Sequence, residues 1–198
     1  RKCKDKLHLY NNRIRDYFRP DSNLHESGFQ MIQTSHLLAN QVINNAFNRY
    51  DLVVRYMGVS SFLNNDNLGV SLYQKMQEKR KGSAYKNPWR VFQNLIVSIR
   101  DNGYDFSHPI LVNKDMHIID GAHRLACALF FNEPFVTIQI NKRLNFSPYG
   151  LDWFESNSFT TNELQLIEDK RVTVFYDHHL YFEIVLWPTV ADYFDEIE

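Results

Sequence analysis

Five consecutive residues, Asp120-Gly121-Ala122-His123-Arg124, bring together a carboxylate, a conformationally free glycine, an imidazole and a guanidinium. Apolar residues follow at Ala122, Leu125, Ala126, Leu129 and Phe130, the i, i+3, i+4, i+7, i+8 spacing of a helix with one buried face. Asp120-Gly121 is therefore read as the passage from a strand into a helix, with Asp120 able to cap the helix and remain a free carboxylate. The first helical turn leaves N–H groups without partners, and His123 and Arg124 sit on that turn. This is the make-up of an anion site, and a phosphate is its natural occupant. A solvated Asp-Gly turn is the plainer alternative, so the surrounding elements have to decide.

Two short apolar runs, Pro109-Ile110-Leu111-Val112 and Met116-His117-Ile118-Ile119, flank Asn113-Lys114-Asp115 and predict a hairpin. Upstream, Asn87-Pro88 reads as an N-cap and first turn. Val91, Phe92, Leu95, Ile96 and Ile99 give the buried stripe of a helix that stops at Asn102-Gly103. Downstream, Phe135 to Ile140 is a β-branched run that predicts a buried strand.

In this order and with these residues the chain resembles the nucleotide-binding core of the ParB/sulfiredoxin superfamily. The resemblance rests on Ser98-Ile99, Gly103, Pro109-Ile110, Val112 and Ile118 to Arg124, and spans roughly residues 88 to 140. It implies an α+β fold, a small mixed sheet with packed helices. The core is expected over residues 51–140, with an N-terminal helical extension over 1–50 and a C-terminal α/β extension over 141–198. Sulfiredoxin-like members place a catalytic cysteine directly before the His-Arg pair, where this chain has Ala122. Chromosome-partitioning members carry Gly-Glu-Arg-Arg and a helix-turn-helix, for which 141–198 offers no counterpart. The Asp-Gly-x-His-Arg form is closest to the free-serine-kinase branch.

That branch implies a kinase using ATP or ADP with Mg²⁺, and a small hydroxylated acceptor, an amino acid or a carbohydrate. Gly121, Ala122, His123 and Arg124 would hold phosphates, joined by Lys75 and Arg80 from a preceding helix. Asp120 would act as base, metal ligand or both, and His123 beside it. Serine kinases carry a glutamate just before the first core helix. Ser83 to Asn87 contains no acid, so Glu78 is the nearest substitute. A CTP- or ATP-binding regulatory or DNA-associated switch with little catalysis is the alternative. A nuclease ranks last, because no set of carboxylates for two metals is evident.

Composition bounds these readings. With 44% hydrophobic residues and 15% aromatics the chain can bury a core. A formal net charge of −1 supplies no overall basic field, which disfavours nucleic acid as a partner. Cys3 and Cys127 make no disulfide framework or zinc spacing, and no apolar run is long enough to span a membrane, so a cytoplasmic protein is expected. The chain starts at Arg1 without methionine and is read as a processed chain or a piece of a longer multidomain one.

Elsewhere, the Arg1, Lys2, Lys4 and Lys6 cluster precedes a helix through Leu7, Tyr10, Ile14 and Phe18. A second helix is expected after Ser27-Gly28, with Met31, Ser35, Leu38 and Val42 inward. Tyr50 to Tyr56 fits a strand or a helical turn, and Asp51 and Arg55 at i, i+4 read as a surface ion pair. Leu72 to Arg80 is expected to be helical. Tyr149 to Phe154 is an aromatic cluster suited to covering a groove, and Thr160 to Glu163 predicts a capping box before a helix with Leu164, Ile167 and Val172 inward. His178-His179 reads as a turn ahead of a strand over Tyr181 to Trp187, with an acidic helix over the last ten residues.

Overall fold

The computed structural model describes residues 29–44, 46–80 and 86–178. The basic cluster, the first expected helix, His179, the expected Tyr181–Trp187 strand and the acidic end lie outside these residues.

In chain order the elements are β1 (Phe29–Gln33), α1 (Thr34–Ala39), β2 (Val42–Ile43), β3 (Ala46–Phe47), α2 (Tyr50–Asn64), α3 (Leu68–Lys79) and α4 (Pro88–Asn102). Then come β4 (Ile110–Val112), β5 (Ile118–Asp120), α5 (Ala122–Phe130), β6 (Phe135–Ile140), α6 (Leu151–Ser156) and α7 (Thr161–Asp177). The described residues form a mixed α+β fold around a four-stranded sheet in the order β1-β6-β4-β5. β6 runs parallel to β4 and antiparallel to β1, and β4 is antiparallel to β5.

Local chemistry explains the elements that frame the cleft described below. Asn87 accepts a hydrogen bond from the Arg90 N–H, Pro88 opens α4, and Gly103 ends it at φ +82°. Between β4 and β5, Asn113 Oδ1 accepts from the N–H groups of Asp115 and His117, which closes the turn. Leu111 faces Asp120 while Val112 faces Ile118, so Ile119 is the extra residue of a β-bulge immediately before the strand ends.

The core centres on α2, which packs against α3, α5 and α7. Nearly every face of α2 is buried, and α3 begins so close to it that a Cβ on Gly69 would overlap the Met57 carbonyl. Leu125, Ala126, Ala128 and Leu129 supply the buried face of α5, and Cys127 is enclosed with them, its thiol pushed up to about 12 by burial.

Four expectations are corrected. The helix expected after Gly28 is β1, then α1 and the β2–β3 hairpin; Met31 and Ile32 pair with Thr137 and Val136 on an edge that β6 leaves free. Among the described residues before 51, β1 is thus an edge strand of the four-stranded sheet, where a helical extension was expected. Gln41 fastens it there, donating to the Leu37 and Met116 carbonyls and accepting from the Ile118 N–H.

Tyr50 to Tyr56 is helical, and Asp51 and Arg55 are no surface pair, since both are fully buried. Arg49 grips Asp51 with two bonds of 2.7 and 3.0 Å and reaches the Ile118 carbonyl at 2.7 Å, while Arg55 meets Asp51 at 2.6 Å. Burial alone would raise the Asp51 carboxyl, but Arg49 and Arg55 overcome it and hold the group well below the carboxylate range.

At the far end, the Thr160–Glu163 capping box forms, and Ile167, Val174 and Phe175 face inward. Val172 is exposed, because a stripe through Ile167 and Val174 leaves it on the outer side. His178 ends α7 as its C-cap and meets the Leu129 carbonyl at 3.1 Å, where a turn between strands was expected. This region docks on the chain just before α2: Tyr149 exchanges backbone bonds with Asn48 and Tyr50, and the Tyr50 hydroxyl donates to Glu168 at 2.7 Å.

Candidate functional site

β5 enters α5 through Gly121, whose backbone lies in the left-handed region at φ +96°. A Cβ there would press on Ile110 at 3.1 Å and on Arg124 Nη2 at 2.9 Å, so conformation and space both require glycine. The N-cap is Gly121 itself with no side-chain cap, which corrects the capping role expected of Asp120. Asp120 stands one position too early, as the last residue of β5, and its side chain is 80% exposed.

The first helical bond of α5 runs from the Leu125 N–H to the Gly121 carbonyl. The Ala122, His123 and Arg124 N–H groups precede it and have no acceptor within the helix.

This junction borders a cleft of about 360 Å³. One wall is α4, through Pro88, Val91, Phe92, Leu95, Ser98 and Ile99; Gly103, Tyr104, Asp105 and His108 form the next side. Asp120, Gly121, His123 and Arg124 close it. Val91 is exposed, so the α4 wall offers the cleft an uncovered apolar strip.

The His123 ring lies 4.5 Å from Phe92 between centroids, and its Nε2 is 2.9 Å from the Tyr73 hydroxyl. Burial, and after it the charges of Arg55, Arg80 and Arg124, drive the His123 imidazole well below its ordinary value, with Asp51 opposing. His123 is thus a neutral imidazole, with Nε2 engaged by Tyr73. Burial raises the Tyr73 phenol to about 12, so it remains protonated. The positive charge expected of two side chains therefore rests on Arg124.

Arg124 Nη2 stands 3.7 Å from Asp120 Oδ2, an ionic contact too long for a hydrogen bond. Among the described residues, neither Arg124 Nε nor the Tyr104 hydroxyl, both buried, has a hydrogen-bond partner. At the rim His108 pairs with Asp105 at 2.7 Å.

The structure brings Asp120, Gly121, His123 and Arg124 together at the cleft, with Ala122 buried just behind. Lys75, Arg80 and Glu78 do not line it. Lys75 pairs with Glu163 at 2.6 Å and lies over the Phe159 ring; Glu78 is exposed on α3. Arg80 stacks on Tyr149 at 4.6 Å and reaches His123 only through its field. The aromatic cluster at 149–154 also packs away from this cleft, with Phe154 fully buried against Tyr50 and Phe159.

Sequence reasoning missed Tyr73 and Tyr104. Leu72, Tyr73 and Met76 share a buried face that reads as ordinary core, and nothing in the sequence joins Tyr73 to His123 fifty residues later. Tyr104 had one available signal, its place directly after the Gly103 stop.

No group of three His, Cys, Asp or Glu residues able to hold a metal occurs among the described residues, and no helix there is long and apolar enough to cross a membrane. Neither a family model, nor a curated protein, nor a solved structure matches the chain.

Proposed function

We propose that the protein is a nucleotide-dependent kinase that transfers a phosphoryl group from ATP or ADP to a hydroxyl of a small molecule, an amino acid or a sugar. The observation that carries this reading is the Gly121 junction. There the first-turn N–H groups of a nine-residue helix, which have no acceptor within it, the Arg124 cation and the exposed Asp120 carboxylate border one cleft. The run α4, β4, β5, α5, β6 is also the order expected of the ParB/sulfiredoxin core that the Asp-Gly-x-His-Arg pattern resembles, which supports a nucleotide at this place.

Phosphoryl transfer asks mainly for positioning and for charge aimed at the migrating group. The α5 N–H groups and Arg124 would hold its oxygens. Asp120 would orient the acceptor hydroxyl and take its proton, and His123, fixed by Tyr73, would give or accept a hydrogen bond through Nδ1. The α4 strip would keep water from the apolar side.

Asp120, the cleft carboxylate not already held by Ser107 and His108 as Asp105 is, suits a Mg²⁺ ion that arrives on nucleotide phosphates, since that ion keeps several waters and takes only one or two protein carboxylates. When bound, it would neutralise phosphate charge.

One observation favours the second reading, a CTP- or ATP-binding switch with little turnover. Glu78, the nearest upstream substitute in the sequence for the missing pre-helix glutamate, is exposed on α3 and outside the cleft.

The test is incubation with ATP or ADP, Mg²⁺ and panels of amino acids and sugars, with products read by mass spectrometry. A phosphorylated acceptor is expected from the wild type, and none from Asp120→Asn, which keeps its fold and its nucleotide-induced stabilisation. Unchanged turnover in Asp120→Asn removes the assignment of the base. Nucleotide stabilisation without any product in the wild type selects the switch.

A further inference from the structure

We propose that the Tyr104 hydroxyl and the Arg124 guanidinium form one oxyanion subsite in the cleft, and that a phosphoryl oxygen of the bound ligand is the acceptor both lack. The inference rests on the phosphate reading above and assigns it a second ligand-binding side chain.

Gly103 stops α4 in the left-handed region and turns the chain so that Tyr104 falls inward, 5% exposed, its ring edge-on to Phe106 at 5.2 Å. Its hydroxyl has no partner among the described residues. A buried hydroxyl left so is costly and uncommon. Arg124 Nε is in the same condition, and both residues line the same cleft. Two independent orphans at one place call for one missing acceptor.

Neighbouring protein groups do not fill that need. A guanidinium only donates. Asp120 Oδ2 is 3.7 Å from Arg124 Nη2, and Asp105 is taken by Ser107 and His108. Burial pushes the Tyr104 phenol well above the tyrosine range, with Arg124 opposing, so the hydroxyl keeps its proton and serves as a donor. A tetrahedral phosphoryl group presents several oxygens and can accept from the phenol, the guanidinium and the α5 N–H groups together.

The test compares wild type, Tyr104→Phe and Arg124→Gln by calorimetric titration with inorganic phosphate, Mg-ATP and acetate, and by melting without ligand. Because the phenol oxygen has no partner among the described residues, Tyr104→Phe is expected to melt at the wild-type temperature or above it. It is expected to bind phosphate and Mg-ATP about ten- to a hundredfold more weakly, the loss of one hydrogen bond to a charged group. Arg124→Gln is expected to lose phosphate binding.

Wild-type affinity in Tyr104→Phe, with binding lost in Arg124→Gln, overturns the role of Tyr104 and leaves the phosphate reading standing. A lower melting temperature for ligand-free Tyr104→Phe means the oxygen has a structural partner and also overturns the proposal. Acetate bound as tightly as phosphate overturns the phosphoryl assignment. A wild type that binds neither phosphate nor Mg-ATP overturns this inference and the function beneath it.

Discussion

A neutral His123 should make this protein sensitive to mild acid. The imidazole lies against Phe92 with Tyr73 on Nε2, and it feels the charges of Arg55, Arg80 and Arg124, which Asp51 opposes. The unfolded chain accepts the proton at about pH 6.5, whereas the folded state resists it. Stability is therefore whole above that pH and falls below it, by at most about 1.4 kcal/mol per pH unit, until the folded-state value is reached. For a chain of this length that corresponds to about 3–6 °C of melting temperature per pH unit. Calorimetric melting at pH 7.0, 6.0 and 5.0 should show this slope in the wild type and a smaller one in His123→Gln, which can still bond to Tyr73 but does not titrate. Parallel slopes for the two proteins would show that His123 accepts its proton as readily folded as unfolded, and the placement of the site's positive charge on Arg124 alone would fail.

Two further substitutions probe the frame around the cleft. Gly121→Ala forces a Cβ into left-handed backbone and against Ile110, and should cost about 1–2 kcal/mol from the backbone alone while abolishing nucleotide-induced stabilisation. An alanine variant with wild-type melting and binding would contradict the geometry of the junction. Asp51→Asn leaves Arg49 and Arg55 buried without their counter-charge, and a loss of about 3–5 kcal/mol in urea unfolding is expected. A change below about 1 kcal/mol, the usual size for an exposed pair, would mean that the network is solvated.

What the sequence revealed and what it concealed divide along physical lines. The α4 boundaries were legible because Asn87, Pro88 and Gly103 act locally, through a cap, a fixed φ and a left-handed stop. The capping box at Thr160 and Glu163 was legible for the same reason, as was the turn built on Asn113. The strand β1 was hidden because its order comes from β6, more than a hundred residues later, and five residues cannot distinguish a period of two from 3.6. Asp51 and Arg55 looked like a solvated pair, since i, i+4 spacing says nothing of what surrounds a helix. Arg49 completes the network, and its reach to Ile118 is visible only once β5 is in place.

At the site, the sequence carried the identities at Asp120 to Arg124 but not their division of labour. Asp120 resembled a cap and is an exposed carboxylate, because the bulge at Ile119 and the turn at Gly121 move the cap one residue on. Lys75 and Arg80 had the right charge, yet Glu163 and Tyr149 hold them elsewhere. Tyr73 and Tyr104 are aromatic residues in apolar surroundings, and only three-dimensional placement shows that one hydroxyl fixes His123 and that the other has no partner among the described residues.

The central claim is that a phosphoryl group settles at the mouth of α5. Amide chemical-shift mapping during titration of the ¹⁵N-labelled protein with Mg-ATP tests it most directly. Saturable shifts concentrated at Gly121, Ala122, His123 and Arg124, with smaller ones at Tyr104, are the predicted result. Saturating shifts centred instead on Lys75 and Arg80, or the absence of saturable change at Gly121 to Arg124, would contradict it.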